Sequence, residues 1–418
     1  MIPVSRIAPQ PWMTRPQTRR VLDALAAAGF TARFVGGCVR DTLMRRAVGD
    51  IDIAIDAEPE AVSAALQRAG IKVVPTGVQH GTVTAVADHA HFEITTLRRD
   101  VETFGRHARV AFTDDWAEDA ARRDFTMNAL FLDADGSVYD PVNGFADIQR
   151  GRVRFVGDPA QRISEDVLRL LRYFRFFAHF DRPPADAAAL AACRAAAPRL
   201  PSLSGERVRM ELMKLFEAAD PIATVELMAE AGVLRAILPE AAALARFAAL
   251  VAVEREAGAP IDPLRRLAAL VETTQGGALA LARRLRFSGR EATRFAALAA
   301  PDVTVSSSMP RAALDGALYR LGSRAIRDLV VIAWAAARAA GESADVAFRR
   351  LLAATDCWRP VIFPLKGADA VMLGVPPGPA VGRLLAAVEQ WWIECGFAPN
   401  RQQCLDKLRE LTRLSEEP

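Results

Sequence analysis

The sequence predicts the α+β fold class: an N-terminal domain of strands and helices followed by a long all-helical part. Three observations carry this expectation. Before about residue 160 the chain is made of short β-branched runs broken by Gly and Asp. Beyond it, Ala, Leu and Arg recur at helical spacing between Pro and Gly breaks. The length of 418 residues exceeds one ordinary domain, and no repeat of fixed period runs through it.

In chain order the expected strands are 32–35, 51–55, 71–74, 82–87, 92–96, 129–132 and 153–156. They are rich in Val, Ile, Phe and Thr, which suit a pleated, half-buried surface. Helical patterns over about 14–28 and 58–69 interleave with them. In the second half, breaks fall near Arg182-Pro183-Pro184, Pro198, Asp220-Pro221, Gly258 to Pro263, Pro301 to Pro310 and Pro376 to Pro379. A proline removes a helix donor and restricts the residue before it, so the stretches between read as separate helices.

Composition excludes several classes. A content of 51% hydrophobic and 25% charged residues is that of a folded globular chain rather than a disordered one. With 53 basic and 50 acidic residues the net charge is +3, too weak a field for the whole surface to attract nucleic acid; such a site must come from local charge. The cysteines Cys38, Cys193, Cys357, Cys395 and Cys404 form no C-x-x-C pair, which argues against a disulfide framework or a zinc knuckle. Scattered thiols suit a reducing cytoplasm. The N-terminus carries no continuous apolar segment of signal-peptide type. The longest apolar run of the C-terminal half, Leu329 to Ala337, is about half the ~20 residues that span a bilayer. A soluble cytoplasmic protein with no membrane contact is expected, and no protein partner is indicated.

The richest segment is GGCVRD at 36–41, followed by GDIDIAID at 49–56. On a strand, Asp50, Asp52 and Asp56 share parity and one face, while Ile51, Ile53 and Ile55 take the other, toward a core. Like charges two residues apart repel. One reading is a solvated strand face. The other is a hard divalent cation such as Mg²⁺ on Asp50 and Asp52, which prefers carboxylate oxygens and keeps room for phosphate oxygens. Two such ions, one activating a hydroxyl and one on the leaving group, support in-line phosphoryl transfer. The glycine pair favours the second reading. After a strand, Gly36 and Gly37 let backbone N–H groups approach a phosphate, a helix can start over 39–44, and Arg40 is placed to pair with phosphate oxygens.

With these residues the chain resembles the class II nucleotidyltransferases, the superfamily of bacterial and eukaryotic tRNA CCA-adding enzymes and bacterial poly(A) polymerases. Further motifs match in order: HGTVTA at 80–85, FEITTLRRD at 92–100, TFGRHARVAFTDDW at 103–116, RRDFTMNAL at 122–130, YDPVNGFADI at 139–148, EDVLRLLRYFRF at 165–176 and SGERVRMELMKL at 204–215. They cover about residues 30–216, half of the chain. The resemblance implies a nucleotidyltransferase-fold head with a mixed sheet at 1–155, a base-recognising helical neck at 156–220, and a helical body and tail at 221–418 that hold tRNA. The implied activity is template-independent addition of C, C and A to the tRNA 3′ end from CTP and ATP. Pyrophosphate is released, by metal-assisted in-line nucleotidyl transfer.

Residue by residue, the resemblance implies that Asp50 and Asp52 bind the catalytic metal, Mg²⁺ as two ions. One of them, or Glu93 on the neighbouring strand, helps deprotonate the attacking 3′-hydroxyl; Glu93 reads equally as a strand-edge carboxylate paired with an arginine. Gly36, Gly37 and Arg40 meet the triphosphate. Arg123 holds phosphate, while Asp124 and Asn128 exchange hydrogen bonds with the ribose 2′-hydroxyl; the alternative for these residues is a capping or salt-bridge role.

EDVLRLLRYFRF is expected as one helix, with Val167, Leu170, Leu171, Phe174 and Phe177 on one arc and Asp166, Arg169, Arg172 and Arg175 on the opposite one. Taken alone, this is an amphipathic helix with i,i+3 ion pairs. By resemblance, Asp166 and Arg169 present an acceptor and donors to the Watson–Crick edges of C and A, and Arg172 and Arg175 sit nearer the phosphates or the RNA. C and A carry an exocyclic amine where U and G offer a carbonyl, so a carboxylate there disfavours UTP and GTP. The segment 98–115 resembles the flexible loop that switches C to A addition, with Phe104 where many relatives have Asp.

Local charge supplies what the total lacks. Residues 150–182 hold eight arginines and four acids, a net of +4, which leaves the rest of the chain at −1. Competing readings are a poly(A) polymerase, an A-adding or CC-adding enzyme on the same scaffold, and a non-catalytic RNA-binding module. PTGVQHGTVTA after the D-x-D helix and the RLSEEP terminus lack the basic signatures of poly(A) polymerases. The retained Asp50, Asp52 and Arg123 argue against a module without catalysis. All five histidines precede residue 180, which excludes a His-Asp metal phosphohydrolase in the C-terminal half.

Overall fold

The computed structural model describes residues 1–104, 107–180 and 182–414. The chain divides into two compact units, Met1–Pro239 and Glu240–Pro418.

The first unit is built on strands β1 (Ser5–Arg6), β2 (Ala32–Val35), β3 (Ile51–Ile55), β4 (Lys72–Gly77), β5 (Thr82–Ala87), β6 (Ala90–Thr96), β7 (Arg98–Phe104), β8 (His107–Phe112), β9 (Phe131–Leu132) and β10 (Ser137–Tyr139). Eight of them form one sheet in the order β1-β10-β9-β2-β3-β6-β5-β4, while β7 and β8 pair as a separate hairpin. The sheet is mixed because β3 and β6 run parallel, whereas β2–β3 and β5–β6 are antiparallel. Its helices are α1 (Pro11–Thr14), α2 (Pro16–Ala27), α3 (Gly37–Leu43), α4 (Pro59–Arg68), α5 (Trp116–Ala121) and α6 (Gly144–Arg150). Six more follow: α7 (Pro159–Glu165), α8 (Leu168–Phe180), α9 (Ala187–Ala196), α10 (Gly205–Phe216), α11 (Ile222–Glu230) and α12 (Val233–Ile237).

Strand β3 explains why the sheet holds. Ile51, Ile53 and Ile55 are buried on one face. The opposite face is covered as well: Ala54, between Asp52 and Asp56, is buried with Val35, Leu97, Ala120 and Phe131. The alternative of a solvated strand face therefore fails at Ala54, while Asp52 and Asp56 on the same face are half-buried. Asp50 lies one residue before β3 at an exposed bend, and the Asp56 carboxylate accepts the Thr31 N–H at 2.8 Å.

Other expectations also change. No strand forms at 153–156; there is only a single bridge between Phe125 and Phe155, because Phe155 turns into an aromatic cluster with Phe125 and Tyr173. The predicted strand 129–132 shortens to β9 behind a 3₁₀ turn at Thr126–Asn128. The segment 98–115, expected as a loop, includes the β7–β8 hairpin. Gly105 and Arg106 lie outside the described residues, as does the Phe104 side chain.

The second unit is helical: α13 (Leu244–Glu256), α14 (Pro263–Leu270), α15 (Gln275–Arg284), α16 (Gly289–Ala299), α17 (Arg311–Ala339), α18 (Asp345–Cys357), α19 (Gly367–Met372), α20 (Pro379–Glu394) and α21 (Arg401–Leu414). Helix α17 is interrupted at Gly322, whose φ of 79° only glycine adopts freely. Buried charge is paired in this unit. Arg265 bonds Glu254 at 2.6 Å and Asp328 at 2.7 Å, and Arg294 joins Asp328 to Asp262. Such a cluster is tolerated in a core only when every partner is present. Among the described residues no helix is long and apolar enough to cross a membrane.

Candidate active site

The turn from β2 into α3 places the glycine pair. Gly36 has φ 73° and ψ −130°, a conformation closed to side chains, and it caps α3. A Cβ on Gly36 would stand 3.5 Å from the Asp52 carboxylate, so this turn lies against the D-x-D strand. In the parallel ladder Asp52 stands opposite Glu93, and in the antiparallel one opposite Val35. Two carboxylates thus share one register position.

That juxtaposition sets the electrostatics. Burial and then the Glu93 charge push the Asp52 carboxyl up to about 6, against an opposing pull from Arg123 that outweighs the smaller push of Asp50. Among the described residues no side chain donates to the carboxylates of Asp50, Asp52 or Glu93, and none forms an ion pair with them; the Cys38 thiol reaches only the Asp52 carbonyl, at 3.7 Å. The alternative in which Glu93 pairs with an arginine is therefore not what the structure holds. A half-buried Asp52 beside exposed Asp50 and Glu93, with no cationic side chain bonded to any of them, is a donor set that fits a hard divalent cation. No three His, Cys, Asp or Glu side chains gather into a cage among the described residues. Sites that leave most coordination to substrate phosphates have that form.

Asp52 opens onto a cleft of about 480 Å³. It is lined by Gly36, Gly37, Arg40, Asp52, Arg123, Asp124, Asn128, Asp166, Arg169 and Arg172 among the sequence-expected residues. Asp50, Glu93 and Arg175 do not line it. Six arginines against three aspartates make its wall cationic, which suits a polyanion such as a triphosphate.

A chain of bonds connects the wall. Arg40 donates to both Asp41 oxygens at 2.9 Å and to Asn128 Oδ1 at 2.8 Å, and it lies over the Phe180 ring at 4.3 Å. Asn128 donates in turn to Asp124 at 3.2 Å. Arg172 grips Asp124 at 2.7 and 2.5 Å. Burial opposes the Asp124 charge, but the Arg172 guanidinium and these bonds hold its carboxyl below the ordinary value. Behind Arg172 the buried Glu211 of α10 pairs with it at 3.8 Å and with Arg175 at 2.9 Å. Asp124 and Asn128 therefore serve one another and two arginines in this structure. Arg175 is held behind the cleft against Glu211 and Phe176 instead of facing phosphate or RNA.

The predicted single helix over 165–176 is broken. Helix α7 ends at Glu165, Asp166 is extended (φ −149°, ψ 110°), and α8 begins at Leu168. Asp166 can then accept the Leu168 N–H at 3.1 Å, a capping bond, and turn its other oxygen to Arg207 of α10 at 2.6 Å. Arg169 pairs with Glu165 and donates to the Arg162 carbonyl at 3.1 Å. The break places Asp166 and Arg169 on the same cleft wall. The apolar arc behaves as expected: Val167, Leu170, Leu171, Phe174 and Phe177 are all buried.

Sequence reasoning missed Asp119, Arg122, Arg207 and Glu211. Buried Asp119 accepts from Arg122 (2.9 and 2.7 Å) and from Arg123 (3.0 and 2.8 Å). Burial works against its charge, yet the two guanidiniums keep its carboxyl below the usual range. The signal was present, since Asp119 stands at i−3 and i−4 to the two arginines, and Arg207 and Glu211 are four apart on α10.

Similarity to known proteins agrees with this geometry. Residues 32–154 match the family model "Poly A polymerase head domain", and residues 186–244 match "Probable RNA and SrmB- binding site of polymerase A". Mitochondrial CCA tRNA nucleotidyltransferase 1 of Mus musculus is 34% identical over 398 residues, covering 94% of this chain and 89% of that protein. A CCA-adding enzyme of Limosilactobacillus reuteri is 40% identical over 207 residues, 49% of this chain and 50% of its own. The crystal structure of the Bacillus stearothermophilus CCA-adding enzyme in complex with CTP is 27% identical, with a TM-score of 0.76, covering 97% of this chain and 100% of that one. A head of this topology, an arginine-walled cleft on its D-x-D strand and likeness along nearly the whole chain make this protein a member of the CCA tRNA nucleotidyltransferase family.

Proposed function

We propose that this nucleotidyltransferase adds C, C and A to the 3′ end of tRNA from CTP and ATP without a nucleic-acid template. One observation carries the reading. Residues far apart in sequence, Gly36-Gly37 with Arg40, Asp52, Arg123 with Asp124 and Asn128, and Asp166 with Arg169, line a single cleft. The first groups suit a triphosphate, and the last suits the edge of a base.

Asp50 and Asp52 would hold the cation, Mg²⁺ as two ions during turnover, which would stabilise charge on the phosphate oxygens and lower the pKa of the attacking hydroxyl. The chain's own groups do the rest. Backbone N–H groups of the Gly36-Gly37 turn, Arg40 and Arg123 orient the triphosphate. The primer 3′-oxygen forms a bond to the α-phosphorus as the bond to the β-phosphate bridge breaks, and pyrophosphate leaves. The hydroxyl proton passes to a carboxylate of the Asp50, Asp52 and Glu93 group. The Asp166 carboxylate accepts from the exocyclic amine of C or A, and Arg169 donates to the neighbouring acceptors. Asp124 and Asn128 turn from each other to the ribose 2′-hydroxyl. We place the enzyme in the cytoplasm, a reading that its five free cysteines support.

The test supplies tRNA lacking its CCA end, Mg²⁺ and each nucleotide mixture, and sequences the product ends. Termination after C, C and A is expected. Products that stop at CC, gain a single A, or run on into poly(A) would each refute the assignment. Asp50→Ala or Asp52→Ala should abolish incorporation while tRNA affinity, read by filter binding, stays within about twofold. Near-normal turnover in either variant would refute the metal assignment.

A further inference from the structure

A second cleft, of about 930 Å³, opens in the first unit beside α3 and is distinct in its lining from the one described above. Its wall includes Gln10, Trp12, Arg45, Arg46, Phe145 and Gln149, and no aspartate or glutamate lines it. The Trp12 indole is fixed at both ends: its Nε1 donates to Thr42 Oγ1 at 3.1 Å, and the ring packs edge-on against Phe34 at 4.7 Å. Phe145 is half-buried. Arg46 donates to the His179 carbonyl at 2.6 Å and lies over the Phe180 ring. Phe180 also carries Arg40 of the catalytic cleft. Arg45 is exposed, and its guanidinium meets no acceptor among the described residues. Its φ of 56° is unusual for a side chain of this size. Residues 45–48 then run directly into Gly49 and Asp50.

A fixed tryptophan, a half-buried phenylalanine, two guanidiniums, two amides and no acid are the elements that bind a nucleotide unit: a π-face for a base, cations for a phosphate, amides for a base edge. A wall with two arginines and no acid favours an anionic ligand over a cationic one, and Val48 of this wall stands two residues before Asp50 in the chain. We propose that this cleft holds one nucleotide of the single-stranded RNA end behind the 3′-terminal residue, its base on Trp12 and Phe145 and its phosphate on Arg45 and Arg46. This rests on the RNA-extending reading given above and names where that enzyme grips its primer.

The test uses the full chain and a short fluorescent single-stranded oligoribonucleotide, with anisotropy at several KCl concentrations, alongside steady-state addition to tRNA. Arg45→Glu should weaken oligonucleotide binding about tenfold and reduce the salt slope by about 0.7, one lost phosphate contact. Arg45→Lys should retain most of the affinity. Gln149→Glu, at an exposed position, should weaken binding in the same direction. The KM for CTP should be unchanged in all three, while the KM for tRNA rises in the two acidic variants. Wild-type oligonucleotide affinity in both acidic variants would overturn the proposal. Titration with free CMP separates the sources: a site that loses CMP and keeps the oligonucleotide would be a free-nucleotide site, and the proposal would fall. A protein that binds the oligonucleotide through Arg45 yet adds no nucleotide would overturn the activity and leave this site standing.

Discussion

Asp52 is a side chain whose ionised form the fold makes costly. Its carboxyl sits at about 6 against an ordinary 3.8, through burial first and Glu93 second. The folded state therefore binds a proton more tightly than the unfolded chain between about pH 4 and 6, and stability is lost as pH rises through that window. Above it, ionised Asp52 costs on the order of 1–2 kcal/mol. Asp52→Asn should raise Tm by about 2–4 °C at pH 7.5 without divalent cation, and the gain should vanish near pH 4. Equal gains at both pH values in a thermal melt would refute the electrostatic account. Mg²⁺ should stabilise the wild type more than this variant. Asp166 makes a second case at this scale. With its oxygens on the Leu168 N–H and Arg207, it faces the cleft as an acceptor. Asp166→Ala or Arg169→Ala should raise UMP and GMP incorporation relative to C and A by tenfold or more. Unchanged selectivity in both would remove the protein-template reading.

At the scale of elements, the helices hold the site's arginines by buried acids. Asp119 on α5 carries Arg122 and Arg123, and Glu211 on α10 carries Arg172 and Arg175 of α8. Removing one partner of a buried pair leaves a charge stranded, at a cost of about 3–5 kcal/mol. Asp119→Ala should therefore lower the urea midpoint clearly and also raise the KM for CTP, because Arg123 loses its aim. A destabilised variant with an unchanged KM would show that Asp119 serves the fold alone. The break between α7 and α8 belongs to this scale as well. The apolar arc of residues 167–177 reads as continuous helix in one dimension. The Asp166 capping bond and its pairing with Arg207, 41 positions away, stabilise the extended residue instead.

Across the whole molecule, net charge is nearly balanced while its distribution is not. The +4 of residues 150–182 lies in the segment that carries α7 and α8, whereas the rest sums to −1. Primer affinity should fall with salt at a slope near −3 in log–log form, as for about four phosphate contacts on a single strand. A slope near zero, measured by filter binding between 50 and 300 mM KCl, would rule out that stretch as the RNA-binding surface. The second unit closes on its own core. Its Arg265, Glu254 and Asp328 are spread over α13, α14 and α17, and none stood out in the sequence because an ion pair between helices has no fixed spacing.

Local chemistry alone made much of this protein legible. The strand 51–55 and the glycine turn before it follow from alternation and from a backbone that only glycine adopts. Of the candidates for holding a triphosphate, Arg40 follows from its place after the glycine pair, whereas Arg123 is named through the family resemblance. What local chemistry left open were matters of partnership. That Asp52 lies beside Glu93 depends on β3 and β6 pairing in parallel across about 40 residues. That Arg175 turns away from the cleft, that Phe155 leaves the sheet for an aromatic cluster, and that Asp166 interrupts a helix are each decided by a neighbour distant in sequence. Periodicity records which way a side chain points along its own element. Only packing determines which charge or ring it meets there, and the free energy of a buried ion pair lies wholly in that meeting.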